Sequence, residues 1–247
     1  MKKRLNLILN GKGGVGKSFF AVNLVQYLKD RDRPHIAFDT DNENSTLKRF
    51  HPSAQFIDIS ESRELDDIFG ALGKVEVVIV DCRAASTELF LNYFAEIDVN
   101  DVCQRLGVQM TAIMPVNHEA DSLDQIDRFA EQQGGRFNYV ILKNEVHSDS
   151  FALYDRSATR KRLKIELGAR EIVMTRLASW LVEQLNRTNL TITQANHHAE
   201  FSLLDRQRLI MWQRRLYEQI DSVTDFLLPA NTVKTHEEAK RLLGSVL

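Results

Sequence analysis

Eight residues constrain this chain more than any others. Gly11-Lys-Gly-Gly-Val-Gly-Lys-Ser18 sets four glycines between two patterned segments. Ahead of it, Leu5-Asn-Leu-Ile-Leu is a short apolar run that reads as a buried strand. Behind it, Phe20, Leu24, Tyr27 and Leu28 recur at helical spacing from about Lys17 to Asp30. After Pro34, His35-Ile-Ala-Phe enters a second strand. A strand–loop–helix–strand unit of this kind returns its second strand parallel to the first.

The same alternation continues. Strands are expected at Phe56–Ile59, Val75–Asp81, Val108–Met114, Phe137–Lys143 and Glu171–Thr175, the second of these rich in β-branched residues. Helices are expected at Glu64–Leu72, Thr87–Ile97, Val102–Leu106, Glu119–Gln133 and Leu203–Leu228, the last ended by Pro229. The expectation is an α/β fold with a doubly wound, mostly parallel seven- or eight-stranded sheet flanked by helices. No repeat or linker divides the chain, so residues 1–247 read as one domain, with 148–199 its least regular part.

The loop matches G-x-x-x-x-G-K-[ST] in full, in its required strand–helix context. Glycines let the backbone approach phosphates and turn N–H groups toward them. The helix starting near Lys17 points its positive end at an anion. Lys17 is expected to reach the β- and γ-phosphates, and Ser18 to give magnesium a hydroxyl ligand. Gly11, Lys12, Gly13, Gly14, Val15, Gly16, Lys17, Ser18 and Phe19 form the candidate nucleotide-binding stretch. Two other strand ends carry acids, Asp39 with Asp41 and then Asp81. In a parallel sheet those ends lie beside the glycine loop, so all three carboxylates are expected to face the triphosphate, some acting through magnesium-bound water.

Lys12, directly after the first glycine, makes the loop resemble the deviant P-loop of the ParA/MinD family of ATPases. The resemblance implies a nucleotide-sandwich dimer in which Lys12 contacts the partner's phosphates, a cation supplied in trans to the transferring phosphoryl group. Asp39-x-Asp41 followed by Asn44-Ser45-Thr46 resembles that family's D-x-D switch segment. On this likeness Asp41 positions or activates the attacking water, Asp39 supports the metal site and Asp81 holds a magnesium-bound water. A plain alternative for Asp41 is a loop acid capping a short helix near Ser45–Phe50. Asn144 resembles the strand-end asparagine that holds adenine, which favours ATP over GTP. The resemblance runs from about Leu5 to Asn144. It breaks at Asp81-Cys-Arg-Ala-Ala-Ser86, where the family has a stretch with proline and glycine, and again at Thr175-Arg176, where a proline is common. Arg83 in that first departure is open between the γ-phosphate, a partner subunit and a surface ion pair.

The implied activity is a magnesium-dependent ATPase acting as a nucleotide-controlled dimerisation switch in plasmid partition or conjugative transfer, working with a protein partner. The opening segment also resembles the TraL-type transfer proteins of conjugative plasmids. Thirty-two Lys and Arg against 34 Asp and Glu leave no global basic field for nucleic acid. Non-specific DNA would need a local cluster such as Arg156, Arg160, Lys161, Arg162 and Lys164, which reads first as a solvated helix face. A MinD-like membrane role would need a basic amphipathic end, and in His236–Leu247 acids offset the bases. A metabolic ATP-dependent enzyme of the same superfamily is the third class. Cys82 and Cys103, with twenty residues between them, suit neither a metal cluster nor a disulfide framework and read as buried hydrophobes. His197 and His198 read as surface polar residues rather than metal ligands. With no signal peptide and no membrane-length apolar run, a cytoplasmic protein is expected.

Overall fold

A computed structural model describes residues 3–230. In chain order the elements are β1 (Lys3–Ile8), α1 (Lys17–Lys29), β2 (His35–Asp39), α2 (Thr46–Phe50), β3 (Gln55–Phe56), α3 (Ser62–Ala71), β4 (Val77–Asp81), α4 (Thr87–Glu96), α5 (Val99–Leu106), β5 (Val108–Val116), α6 (Ala120–Gln133), β6 (Phe137–Asn144), α7 (Ala152–Asp155), α8 (Ala158–Ile165), β7 (Arg170–Met174), α9 (Ser179–Thr188), α10 (Ile192–Ala195), α11 (Leu203–Asp221) and α12 (Thr224–Leu227). The seven strands form one sheet in the order β3-β2-β4-β1-β5-β6-β7, every pairing parallel. This is the α/β architecture expected from the alternating pattern.

Both faces of the sheet are covered, so its central strands are buried throughout. All five residues of β4 are buried, and alternate side chains serve opposite layers. Val78 and Val80 join the core with α3 through α6, while Val77 and Ile79 join the core with α1 and α11. The chain first builds β2, β3 and β4 on one side of β1, then β5, β6 and β7 on the other. The reversal puts a crevice at the carboxyl ends of β4, β1 and β5, where ligands of such sheets bind.

Two expectations change. The strand expected at Phe56–Ile59 shrinks to the two-residue edge strand β3: the Ile57 N–H still donates to the Asp39 carbonyl (3.1 Å), after which the chain leaves β2 with Ile57 and Ile59 buried in the core. The long helix expected at Leu203–Leu228 stops at Asp221. The Ser222 hydroxyl donates to the Gln219 carbonyl and the Thr224 hydroxyl to that of Asp221, competing with the helix ladder. Arg4 and Asn6 on β1 then take the carbonyls of Leu228 (3.2 Å) and Leu227 (3.1 Å), turning α12 across the sheet's amino-terminal edge. Segment 148–199 folds into α7 to α10 with β7 and closes that side of the sheet. No helix among the described residues is long and apolar enough to cross a membrane. The His236–Leu247 segment lies outside the described residues.

Candidate nucleotide site

The glycine loop leaves β1 at Ile8 and enters α1 at Lys17. Gly16 caps the helix at φ 95°, a left-handed conformation that a side chain would strain. A methyl group there would also collide with the Asn144 amide. Asn10, a residue the motif does not include, fixes the loop's entry. Its amide donates to the carbonyls of Pro115 (2.8 Å) and Ser122 (3.0 Å), and its side-chain oxygen accepts from the Lys12 N–H (2.9 Å).

Lys17 is buried and curls back over the loop, donating to the carbonyls of Asn10 and Lys12, both at 2.8 Å. Burial lowers its pKa, against the opposing pull of Asp81 and Asp41. A lysine parked on neutral carbonyls is a cation available to a phosphate. Lys12 is placed differently. Its ammonium lies 3.2 Å from Glu119 and 3.1 Å from Asp121, at the start of α6. The Asp121 and Glu119 carboxylates raise its pKa. Nothing in the local sequence signals this clasp, because its two halves lie more than a hundred residues apart.

The three acids have three occupations. Asp81 ends β4 and its two carboxylate oxygens are buried without a hydrogen-bond partner. Burial, then the Asp39 carboxylate opposite it in register, push its pKa up to about 8; the Ser18 hydroxyl and Lys17 ammonium offset part of this. A buried, unpartnered carboxylate beside a serine hydroxyl is a hard-oxygen set that suits a magnesium ion or its bound water. Asp39, expected at the metal, instead gives its two oxygens to the N–H groups of Asp41 (3.0 Å) and Lys48 (3.1 Å). It thereby caps α2, the task considered for Asp41. Burial raises the Asp39 pKa against those hydrogen bonds. Asp41 is half-buried and faces the cavity. Burial raises its pKa, but the amides of Asn44 and Glu43 and the charge of Arg83 outweigh it and hold the carboxyl below its ordinary value.

A cavity of about 440 Å3 opens over the loop. One flank carries Asp41, Asn44, Arg83 and Ala84; the other carries Asn144, Val146, Met174 and Thr175. Phe19 lines it too and stacks obliquely on Trp212, whose indole N–H donates to the Thr175 carbonyl (2.7 Å). Asn144 is buried at the end of β6. Its amide donates to the Val15 carbonyl (2.9 Å) and its oxygen accepts from the Val146 N–H (3.2 Å), so it braces the loop from below.

The other expected features lie away from this cavity. Three members of the basic cluster are matched: Arg160 with Glu171 at 2.7 Å, Arg162 with Asp127 at 3.1 Å and Lys164 with Glu171 at 3.8 Å. That leaves Arg156 and Lys161 as its unmatched charges among the described residues. Glu200 pairs with Arg187, and the described residues contain no group of three or more metal-ligating side chains. Cys82 and Cys103 are free and buried, and of these features Cys82 alone borders the cavity.

Over 239 aligned positions the chain is 26% identical to Protein TraL of Escherichia coli, covering 89% of this chain and 98% of that protein. It is 21% identical to Protein MobD of Acidithiobacillus ferrooxidans, covering 90% and 99%. The fold matches the septum site-determining protein MinD of Pyrococcus horikoshii, solved with Mg-ADP, at a TM-score of 0.51 and 16% identity over 87% of this chain and 96% of that one. Residues 7–200 match the CobQ/CobB/MinD/ParA nucleotide binding domain, and the chain belongs to that family.

Proposed function

We propose that this chain is a magnesium-dependent ATPase, one domain over residues 1–247, that dimerises under nucleotide control and serves conjugative transfer or plasmid partition with a protein partner. The observation that carries the reading is the pair of lysines on one loop. Lys17 sits over the phosphate cradle, whereas Lys12 points out of it into an acidic clasp. A second loop cation turned away from its own cradle is available to the phosphates of another subunit. The resemblance to TraL-type transfer proteins supports the biological setting.

In this reading the loop N–H groups and Lys17 hold the phosphates, and Asn144 and the wall around Met174 and Thr175 receive the base. Ser18 and Asp81 hold magnesium, directly or through water. Magnesium, when bound, neutralises charge on the β- and γ-phosphate oxygens. Asp41, held ionised, orients water at the mouth of the cavity. Asp39 acts through the shape of the Asp41 loop rather than on the metal.

Sedimentation with ATP or ADP, with and without plasmid DNA and liposomes, tests the whole reading. Dimers with ATP but not ADP are expected. Lys17→Ala should abolish nucleotide binding, and Lys12→Ala should keep binding but lose the dimer. An ATP-driven dimer persisting in Lys12→Ala would exclude the trans lysine. Asp41→Ala should accumulate the ATP-bound dimer; unchanged turnover in that variant would remove Asp41 from water positioning.

A further inference from the structure

Arg83 stands where the loop after β4 departs from the family's pattern, and the fold holds its backbone tightly. The Arg83 N–H donates to the Thr40 hydroxyl oxygen (2.8 Å), and that hydroxyl donates to the Asp81 carbonyl (3.1 Å). The Arg83 carbonyl accepts from the Ser86 hydroxyl (2.8 Å). Two residues on, the Ala85 N–H donates to the Gly11 carbonyl (3.0 Å), with Ala85 at φ 56°. The segment is therefore tied both to the loop after β2 and to the phosphate loop. The left-handed alanine is a strained conformation, held by these ties.

The side chain is not held in the same way. Arg83 is half-buried and lines the cavity beside Gly13 and Asp41. Among the described residues its guanidinium makes no ion pair and no hydrogen bond. The other cations around the cavity are engaged: Lys17 on two carbonyls, Lys12 on two carboxylates and Arg176 on the Glu145 carbonyl. Arg83 acts on Asp41 and Asp58 only at longer range, lowering both. A guanidinium with five unused donors at the rim of a phosphate cradle is matched to a terminal phosphoryl group, which offers paired oxygens to its planar fork. Strand order sets it apart from the base. Arg83 and Asp41 follow β4 and β2 on one side of β1, while Asn144 and Thr175 follow β6 and β7 on the other.

We propose that Arg83 contacts the terminal phosphate of a nucleoside triphosphate bound in its own subunit, and so sets the preference for triphosphate over diphosphate. This rests on the nucleotide-binding reading above. It differs from the role given to Lys12, because the cation is supplied in cis and requires no dimer. Loss of Arg83 should therefore weaken triphosphate binding and leave diphosphate binding alone.

The test measures affinities for ADP and for a non-hydrolysable ATP analogue, both with magnesium, in Arg83→Ala and Arg83→Lys. Each variant is made in the intact protein and again in a Lys12→Ala background, where the trans contact is gone. Arg83→Ala is expected to lower the triphosphate-to-diphosphate preference about ten- to a hundredfold in both backgrounds, the usual range for a charged hydrogen bond. Arg83→Lys should fall between, keeping the charge without the fork. An unchanged preference, or an equal loss for both nucleotides, overturns the proposal. A loss seen only with Lys12 intact overturns the cis assignment and moves Arg83 to the subunit interface. If Lys17→Ala leaves nucleotide affinity untouched, the nucleotide-binding reading itself falls, an outcome distinct from the others.

Discussion

Replacing Asn144 by alanine separates two roles for a residue at the base of the site. As a reader of adenine, Asn144 would contribute nothing to the nucleotide-free protein. As a brace, it carries a measurable share of its stability. Both ends of the amide are engaged, with the Val15 carbonyl at 2.9 Å and the Val146 N–H at 3.2 Å, and the side chain is 3% exposed. Each lost hydrogen bond costs about 1 kcal/mol. The Val15 carbonyl, beneath a fully buried residue, also loses its partner with little water to replace it. The total is about 2–3 kcal/mol. For a chain of this size that lowers Tm by roughly 5–10 °C, read by calorimetry without nucleotide. Asn144→Asp should be at least as damaging, since a carboxylate cannot donate to Val15. Tripolyphosphate, which has no base, supplies the second measurement. If the loop depends on the brace, tripolyphosphate binds more weakly to Asn144→Ala. An unchanged Tm together with unchanged tripolyphosphate affinity would refute the brace.

Three further perturbations follow from the same geometry. Ala85→Gly relieves the left-handed alanine at φ 56°; set against the greater freedom of unfolded glycine, it should stabilise the protein by up to about 1 kcal/mol. A fall in Tm would show that Ala85 is not strained. Glu119→Gln with Asp121→Asn opens the clasp on Lys12, and sedimentation should show dimers at lower ATP concentration than in the parent; a requirement for equal or more ATP would exclude the clasp as a restraint. His51 is buried between the Val22 carbonyl and Lys29, and burial pushes its pKa from 6.5 to about 4. The unfolded imidazole takes its proton near pH 6.5 and the folded one only near 4, so stability is complete above the first value and is lost as pH falls toward the second. Urea titrations should show about 3 kcal/mol of that loss, and His51→Gln should flatten it; an unaltered pH profile in the variant would place the effect elsewhere.

The phosphate loop was legible because its chemistry is local: each glycine, Lys17 and Ser18 sit within eight consecutive residues. The parallel sheet was legible because buried strands read as unbroken apolar runs such as Val77–Val80. What escaped depends on partners remote in sequence. The Lys12 clasp joins the first loop to the start of α6, and the Asn144 brace spans 129 residues to reach Val15. Neither leaves a local pattern. Asp39 and Asp41 show the same limit at short range. Two carboxylates with one residue between them look alike in sequence, yet the first ends β2 and is buried against the backbone amides of Asp41 and Lys48, whereas the second lies in the loop beyond the strand and lines the cavity. The helix expected through Val223 failed for a related reason, since the acceptors that turn α12 are claimed by Arg4 and Asn6 at the other end of the chain.

That last contact has a practical consequence. Through Arg4, Asn6 and Thr111 the two central strands β1 and β5 hold the carbonyls of Leu228, Leu227 and Phe226, the first near the amino-terminal end of β1 and the other two midway along the strands. The nucleotide cavity opens at the carboxyl ends of the same strands, and the end of β1 lies roughly 13 Å from Arg4 at the rise of an extended chain. Leu228 is thus anchored near the starts of the strands, beside Pro34 and Val77, at the end of β1 opposite the phosphate loop. A dye attached beside it would report on the sheet from the end of β1 farthest from the nucleotide, without touching the residues that line the cavity.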